Sequence, residues 1–172
     1  MKQIPLTQGK VALVDDEDFE KVDRYKWHAS RVVSKTTGRI KWYAKRNACR
    51  ARTPKGSAHL YMHRLILDAK PEIQIDHQDN DGLNNTRNNL RRATSRQNAA
   101  NSVKKRGISS FKGLYRTSEG RWQVQIQING QTRTLGGFRR EMDAARVYDT
   151  AAQHYFGEFA RLNLPIAELP GC

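Results

Sequence analysis

The sequence predicts an α+β protein in which small antiparallel sheets and short helices follow one another along the chain. Strict alternation of apolar and glutamine side chains in WQVQIQI, residues 122–128, predicts a strand with one buried and one open face. Apolar residues at helical spacing from Met142 to Tyr155 predict a helix that packs on the apolar face of that sheet. Alternating runs in the first 58 residues predict a second group of strands.

The first segment, residues 1–58, is predicted to be a small basic αβ segment. GKVALVDD, WHASRVV and IKWYAKRNA alternate as strands do, and TTGR indicates a hairpin turn. DEDFEKVDRY predicts a short helix. Either Asp15 or Asp16 can cap the free main-chain amides of its first turn. Three aromatic residues have either a core position, the commoner role, or a stacking role against bases: Trp27, Trp42 and Tyr43.

Positive charge dominates the chain and is segregated along it. The formal net charge is +14, with eleven Lys or Arg and no acid from Arg24 to Lys55, and nine with no acid from Arg87 to Arg116. A basic run alone is usually solvated surface, but two acid-free tracts in one short chain favour a nucleic acid partner.

Membrane insertion and a thiolate metal site are not expected. No run of about twenty apolar residues occurs and the N-terminus lacks a signal peptide's apolar segment, which predicts a cytoplasmic protein with no membrane partner. Cys49 and Cys172 cannot supply four thiolates, so any catalytic metal must have oxygen and nitrogen ligands.

The second segment, residues 59–101, carries the residues that suit hydrolysis of a phosphodiester. LYMHRLIL predicts a helix, EIQIDH and NNLRRAT predict two strands, and the capping box of Thr94 with Gln97 starts a final helix. Cleavage near neutral pH needs a base for water and a cation for the phosphate charge. Asp76 and His77 are adjacent on a strand, so they point to opposite faces, and the helix with Asn98 is the candidate element to complete the site.

The stretch IDHQDNDGLNNTRNNLRRATSRQNAAN, preceded by MHRLIL, resembles the HNH homing endonucleases of the ββα-metal group, which mobile introns or phages encode. The resemblance implies that His77 is the general base and that Asp76 and Asn98 hold one Mg²⁺ or Mn²⁺ ion. It also implies that Asn89 ties the hairpin together and orients His77. A protein of this family would act in a bacterial or phage-infected host cell. Four arginines would reach phosphates: Arg87, Arg91, Arg92 and Arg96.

Two other interpretations concern the same segment. A calcium loop counted back from Gly82 would have His77 at its first ligand position and Asn88 where a bidentate Glu is required, so that interpretation fails. Asparagine clusters can also simply form turns, but the ordered set of motif residues argues against this. His63 either contributes to the site or is a structural hydrogen-bonding residue, the commoner role for a His in an apolar helix.

The third segment follows a basic linker, residues 102–112, and extends over residues 113–165. Asn129-Gly130 and Glu119-Gly120 are hairpin turn signals that predict three antiparallel strands, and Gly157 is predicted to end the helix. The segment is similar to the apetala and ethylene-response-factor DNA-binding domain. The resemblance rests on Gly113, Arg116, Trp122, Leu135-Gly136, Phe138, AARVYDTAA, Gly157 and ARLN.

The resemblance implies that the open face of this sheet reads the major groove of double-stranded DNA. Gln and Thr stand where plant members have arginines and a tryptophan, and Gln pairs with adenine, so a different target is expected. Arg133 falls in register with the apolar positions of its strand, so the direction of its side chain stays open. The alternative to DNA binding is that the polar face is simply the solvated outer face of the sheet. The predicted DNA-binding residues here and in the linker are Lys104, Lys105, Arg106, Arg116, Arg121, Gln123, Gln125, Gln127, Thr132 and Thr134.

The sequence thus predicts a metal-dependent, targeted DNA endonuclease with an HNH core between a basic αβ segment and a DNA-binding module. A single active site in each chain favours a nick, and no obligatory protein partner is evident. Two alternatives stay open: a DNA-binding regulator whose nuclease core is inactive, and a nuclease without targeting.

Overall fold

A computed structural model describes residues 1–34, 38–47, 59–102 and 107–165. The chain forms two compact units, Met1–Thr94 and Ser95–Cys172, called here the N-terminal and C-terminal units. Four α-helices and several antiparallel sheets within the described ranges confirm the α+β class. The four predicted functional segments stay predictions, because this division reflects packing rather than function.

The N-terminal unit contains seven strands and two helices within its described ranges. In chain order they are β1 (Lys2–Pro5), β2 (Val11–Val14), α1 (Asp16–Asp23), β3 (His28–Val33), β4 (Ile40–Asn47), β5 (His59–Tyr61), α2 (Met62–Ile66), β6 (Gln74–His77) and β7 (Leu90–Ala93). The strands form three antiparallel sheets, ordered β1-β2, β3-β4-β5 and β6-β7. The predicted hairpin turn between β3 and β4 lies mostly outside the described residues, but the pairing of the two strands confirms the hairpin.

A small apolar core joins these sheets. Its buried members include Val14 of β2, Val22 of α1, Met62 and Ile66 of α2, and Leu90 of β7. Each element contributes the residues that face inward at its own period, so the short strands and helices are stable only together. This core holds the β6-β7 hairpin against α2.

Two local predictions differ from the structure. Asp15 precedes α1, but its side chain makes no bond to the helix; its carboxylate accepts the main-chain N–H of Arg87 at 2.7 Å instead. The run LYMHRLIL begins as a strand: Leu60 and Tyr61 pair with β4, and the helix begins only at Met62. In both cases a partner distant in sequence determines the local structure.

The C-terminal unit contains α3 (Ser95–Ala100), β8 (Leu114–Arg116), β9 (Trp122–Ile128), β10 (Gln131–Phe138), α4 (Glu141–Phe156) and a 3₁₀ turn (Gly157–Phe159). The three strands form an antiparallel sheet ordered β10-β9-β8, as predicted. Asn129 and Gly130 both have positive φ, at +53° and +82°, which the predicted two-residue hairpin requires. A bulge between Thr134 and Gly136 then shifts the register of β10.

Helix α4 packs on the apolar face of this sheet and ends at Gly157, as predicted. Its buried residues are Ala144, Ala145, Tyr148, Asp149 and Ala152. The predicted face extended further, but Met142 and Tyr155 are 39 % and 46 % exposed. The small alanines let the helix lie close to Trp122, Val124 and Ile126 of β9.

Asp149 is buried in α4 because its carboxylate accepts main-chain N–H groups from Asn163 and Leu164 at 2.8–2.9 Å. These bonds attach the chain after the 3₁₀ turn to the helix. None of the helices in the described ranges has the length and apolar character that a membrane span requires.

Candidate functional site

The predicted active-site residues Asp76 and His77 lie at the end of β6, in the β6-β7 hairpin. Asp76 pairs with Arg91 and His77 pairs with Leu90. Because successive pairs in a ladder face opposite sides, Asp76 shares a face with Arg91, and His77 shares the core side with Leu90. The hairpin therefore separates the carboxylate from the imidazole, as the sequence predicts.

The loop between the two strands, residues 78–89, is cross-linked by its own side chains. Asn89 is the hub: its Nδ2 donates to Asp79 Oδ1 at 2.9 Å and to the Asn84 carbonyl at 2.8 Å. Its Oδ1 accepts the main-chain N–H of Asp79 at 3.0 Å. Asp79 and Asp81 also accept main-chain N–H groups within the loop. Asn89 thus stabilises the loop. None of these contacts joins Asn89 to His77, so its predicted role in orienting His77 stays a prediction.

Arg91 holds the carboxylate of Asp76. Its Nε and Nη2 donate to Asp76 Oδ2 at 2.9 and 2.7 Å, and the two side chains are 10 % and 5 % exposed. A carboxylate at this depth needs a cationic partner, because an uncompensated buried charge is costly. Arg91, predicted to reach a phosphate, therefore neutralises Asp76 in this structure.

The imidazole of His77 lies among three other rings. The centroids of Tyr43 and His63 lie 5.9 and 5.1 Å from it, both in edge-type geometry, and Tyr61 stacks on His63 at 5.3 Å. Gly82 packs so closely on this cluster that an added Cβ would lie 2.5 Å from a ring carbon of Tyr43. The loop and the β4-β5 sheet therefore enclose the His77 ring.

Asn85 is a polar neighbour of the His77 ring, with Asn85 Oδ1 3.5 Å from His77 Nε2. Burial lowers the pKa of His77, although the Asn85 hydrogen bond and the carboxylates of Asp79, Asp76 and Asp81 act in the opposite direction. A lowered pKa keeps the imidazole neutral near pH 7, which is the protonation state that a general base needs.

His63 is neutral as well. Burial, with smaller effects from His77 and Arg64, lowers the pKa of His63 to about 3. Its Nδ1 is buried and has no hydrogen-bond partner among the described residues. The preferred assignment of His63 as a structural hydrogen-bonding residue is thus not supported at Nδ1, whereas its ring contributes packing to the site.

Asn98, the second predicted metal ligand, lies exposed on α3 in the C-terminal unit. Two contacts fix that helix within its unit: Arg96 Nη1 donates to Asn129 Oδ1 at 3.0 Å, and the Lys112 ammonium donates to the carbonyl of Ala100 at 2.5 Å. The joint binding of an ion by Asp76 and Asn98 stays a prediction. Across the described part of the chain, no three His, Cys, Asp or Glu side chains group as a metal site.

The arginines predicted to contact phosphates all donate to protein acceptors. Arg92 Nη2 donates to the Leu67 carbonyl at 3.2 Å from an exposed position. Arg87 makes a bidentate contact with the buried carboxylate of Asp18, from Nε at 2.7 Å and from Nη2 at 2.8 Å. It also forms an ion pair with Glu17. Arg87 and Asp18 are 69 positions apart, so the sequence alone does not reveal this pair.

We expect Arg87→Ala to lower the free energy of unfolding of the N-terminal unit by about 2 kcal/mol, because it leaves the Asp18 carboxylate buried without its cation. Arg92→Ala is the matched control, since it removes a neighbouring arginine that contacts one carbonyl, and it should leave stability within about 0.5 kcal/mol of wild type. Urea denaturation of both variants measures the difference. Equal losses would show that the Arg87–Asp18 pair contributes nothing specific.

The open face of the C-terminal sheet carries the predicted row of polar side chains. Thr132 pairs with Gln127 and Thr134 with Gln125, and Gln125 Nε2 donates to Gln123 Oε1 at 2.9 Å. Alternation along β9 places these glutamines opposite the buried Val124 and Ile126. Arg133 pairs with Ile126 and so lies on the helix side of the sheet, but it is exposed.

Arg116 was predicted on the open face of the sheet, but Tyr115 lies there instead. Arg116 pairs with Trp122, on the helix side, and its guanidinium lies 4.8 Å from the Trp122 ring centroid. Tyr115 pairs with Gln123 on the open face and is 54 % exposed. Arg121 precedes β9 and donates to the Gly137 carbonyl at 2.8 Å. The sequence-based prediction missed Tyr115, although alternation counted from the apolar Leu114 of β8 would have put it on the open face.

The predicted linker residues Lys104, Lys105 and Arg106 lie outside the described residues. Their proposed contacts with DNA therefore stay predictions.

Comparisons with known proteins agree with both resemblances. The chain is 31 % identical, over 161 residues, to an uncharacterized HNH endonuclease of Acanthamoeba polyphaga mimivirus, covering 91 % of this chain and 76 % of the viral one. Two Arabidopsis thaliana proteins named as dehydration-responsive element-binding proteins, 2H and 2C, are 37 % identical over 68 residues and 38 % identical over 61 residues.

These alignments to the plant proteins cover 38 % and 34 % of this chain, and 42 % and 18 % of the plant chains. They match the resemblance of the C-terminal segment to a plant DNA-binding domain. No family model matches the chain. No solved structure matches it either.

Proposed function

Since the chain belongs to the HNH endonuclease family, we propose that it is a metal-dependent DNA endonuclease that nicks one strand of a site selected by its C-terminal segment. One observation carries the proposal: His77, at the end of the β6-β7 hairpin, is buried among aromatic rings, and burial lowers its pKa. That hairpin would be the ββ part of a ββα-metal core whose helix is α3.

In the proposed reaction His77 accepts a proton from water as the water oxygen attacks phosphorus. The new P–O bond forms while the bond from phosphorus to the 3′ oxygen breaks, and the leaving oxygen takes a proton from solvent. The products are a 5′-phosphate and a 3′-hydroxyl. Asn89 serves this step indirectly, because its bonds to Asp79 and Asn84 keep the loop beside His77 in shape.

The chemistry of the donor set fits a hard divalent ion. Asp76 and Asn98 would hold Mg²⁺ or Mn²⁺ through a carboxylate and an amide oxygen, the ligand types that these ions prefer. When bound, the ion supplies Lewis-acid stabilisation of negative charge on the phosphate. Arg91 pairs with the Asp76 carboxylate and orients it on its face of the hairpin.

Target selection is assigned to the C-terminal segment. Its open sheet face carries side chains that would pair with base edges, namely Gln123, Gln125, Gln127, Thr132 and Thr134. Phosphate contacts by the basic tracts, including the linker, would add affinity that falls with salt. Tyr115 adds an exposed aromatic ring to the same face.

Supercoiled plasmid carrying a selected target tests the proposal. With Mg²⁺ the full-length chain should convert the plasmid to the open-circular form, and EDTA should stop the reaction because the ion is needed for charge stabilisation. Linear product as the first product would replace nicking by a double-strand break. Binding without cleavage of any library target, with Mg²⁺ or Mn²⁺, would refute the nuclease assignment.

The second candidate is a sequence-specific DNA-binding regulator whose nuclease core is inactive. The observation that favours it is the Asp76–Arg91 pair, which occupies the carboxylate that a metal ion would use. The same plasmid experiment separates the two candidates, since the regulator predicts specific binding with no conversion of the supercoiled form.

A further inference from the structure

We propose that Asn85 is a positioning residue that determines which ring nitrogen of His77 carries the proton. The inference rests on the proposed function, because the choice of nitrogen has a consequence only if His77 acts as a base. It assigns to Asn85 the orienting role that the family resemblance implies for Asn89.

The orientation of the Asn85 amide follows from its neighbours. Asn85 is fully buried, and its main-chain N–H donates to the Leu13 carbonyl of β2 at 2.8 Å. Its Nδ2 donates to the Leu83 carbonyl at 3.1 Å. An amide flipped by half a turn would place two oxygens against each other at Leu83, so Oδ1 must be the atom that faces His77.

An amide oxygen only accepts hydrogen bonds, so a bond between it and His77 Nε2, 3.5 Å away, has Nε2 as the donor. A neutral imidazole carries one N–H, and with that proton on Nε2 the basic lone pair lies on Nδ1. Asn85 thus leaves Nδ1 as the nitrogen that takes the proton from water. The opposite tautomer would set two acceptors against each other in a buried site, which is unfavourable.

Asn85 is held independently of the loop hub. The strand β2 fixes its backbone through Leu13, and a neighbouring bond from Leu13 N–H to the Leu83 carbonyl, at 2.9 Å, closes the arrangement. Asn89 contacts Asp79 and Asn84 instead. Replacing Asn85 therefore acts on His77 without removing the bonds that Asn89 makes.

The test is ¹⁵N NMR of the histidine rings in the full-length, metal-free chain, with His77→Gln to assign its signals among the five histidines. Wild type should show His77 as the Nε2–H tautomer. Asn85→Leu removes the acceptor, so His77 should become a mixture of tautomers and single-turnover cleavage should slow by roughly 10–100-fold. Asn85→Asp keeps an acceptor beside Nε2, so the Nε2–H signal should be retained even though the bond to the Leu83 carbonyl is lost.

An Nδ1–H signal in wild type, or an unchanged tautomer and rate in Asn85→Leu, would overturn the inference. If Asn85→Leu does not fold, the wild-type and Asn85→Asp spectra still decide it. Cleavage by a wild-type chain with the Nδ1–H tautomer would refute the inference and leave the nuclease intact. The Nε2–H tautomer in a chain that cuts no DNA would refute the nuclease and leave the geometry of Asn85 correct.

Discussion

Replacing His77 with alanine is expected to lower the single-turnover rate of DNA cleavage by roughly 10³-fold, because the attacking water loses its general base. DNA affinity should stay within about twofold of wild type, since His77 is only 7 % exposed and presents little surface to a ligand. Cleavage of the selected plasmid and fluorescence anisotropy of a labelled duplex measure the two quantities. A variant that cuts at the wild-type rate would remove His77 from the mechanism.

Two controls separate chemistry from folding in this experiment. His77→Gln keeps most of the side-chain volume within the ring cluster, so it should lose cleavage while losing less stability than His77→Ala. His154→Ala removes an exposed histidine of α4 and should leave cleavage unchanged. If His77→Gln retains cleavage, packing rather than proton transfer explains the effect of the alanine variant.

The pH dependence of wild-type cleavage gives an independent readout of the same group. Burial lowers the pKa of His77 below the ordinary value of about 6.5. A base acts in its neutral form, so the rate should stay level as the pH falls from 8 through about 6.5, and should decline only in more acidic solution. A decline that begins above that pH would indicate a different titrating group.

Local periodicity explains which parts of the fold the sequence predicts well. The strands of the C-terminal sheet and the Asn129-Gly130 turn depend on neighbouring residues, and the structure confirms them. Helix α4 shows the limit of periodicity. Helical spacing assigned Met142 and Tyr155 to the buried face, but only the middle of that face is buried and both residues are exposed. Asp149 is buried in that middle through bonds to Asn163 and Leu164 that no helical period contains.

The site residues divide in the same way. The motif places Asp76 and His77 together because they are adjacent on one strand. The partners of these residues come from elsewhere: Arg91 lies across the hairpin from Asp76, and Asn85 is held by β2, more than seventy residues earlier in the chain. A sequence identifies the acid and the base more readily than the neighbours that set their charge and orientation.

Replacing Gly113 with alanine is expected to lower the free energy of unfolding of the C-terminal unit by about 3–5 kcal/mol. Gly113 has a φ of +80°, and a Cβ there would lie 2.1 Å from ring carbons of the buried Tyr148 and 2.8 Å from the Gln125 carbonyl. The Gly113 carbonyl also accepts the N–H of Gln125 at 2.8 Å, so a displaced backbone would break the approach of β8 to β9. Specific DNA binding should fall with the fraction of folded unit.

Gly130→Ala is the matched control, because Gly130 has nearly the same φ, +82°, and a Cβ there would meet nothing within 4 Å. It should cost only about 1 kcal/mol, the strain of a left-handed backbone. Hydrogen exchange resolved by peptide measures each loss within the C-terminal unit. Similar losses in the two variants would mean that the Tyr148 contact relaxes without cost.

A double-mutant cycle then identifies the clash as the cause. Tyr148→Ala alone should be costly, because it empties part of the core between α4 and the sheet. Combined with Gly113→Ala it should cost less than the sum of the two single changes, since the alanine methyl group at position 113 no longer meets a ring. Tyr148→Phe keeps the ring carbons that the methyl group would meet, so it should give no such relief. Additive losses in both combinations would place the defect in the backbone conformation of Gly113 and not in its approach to α4.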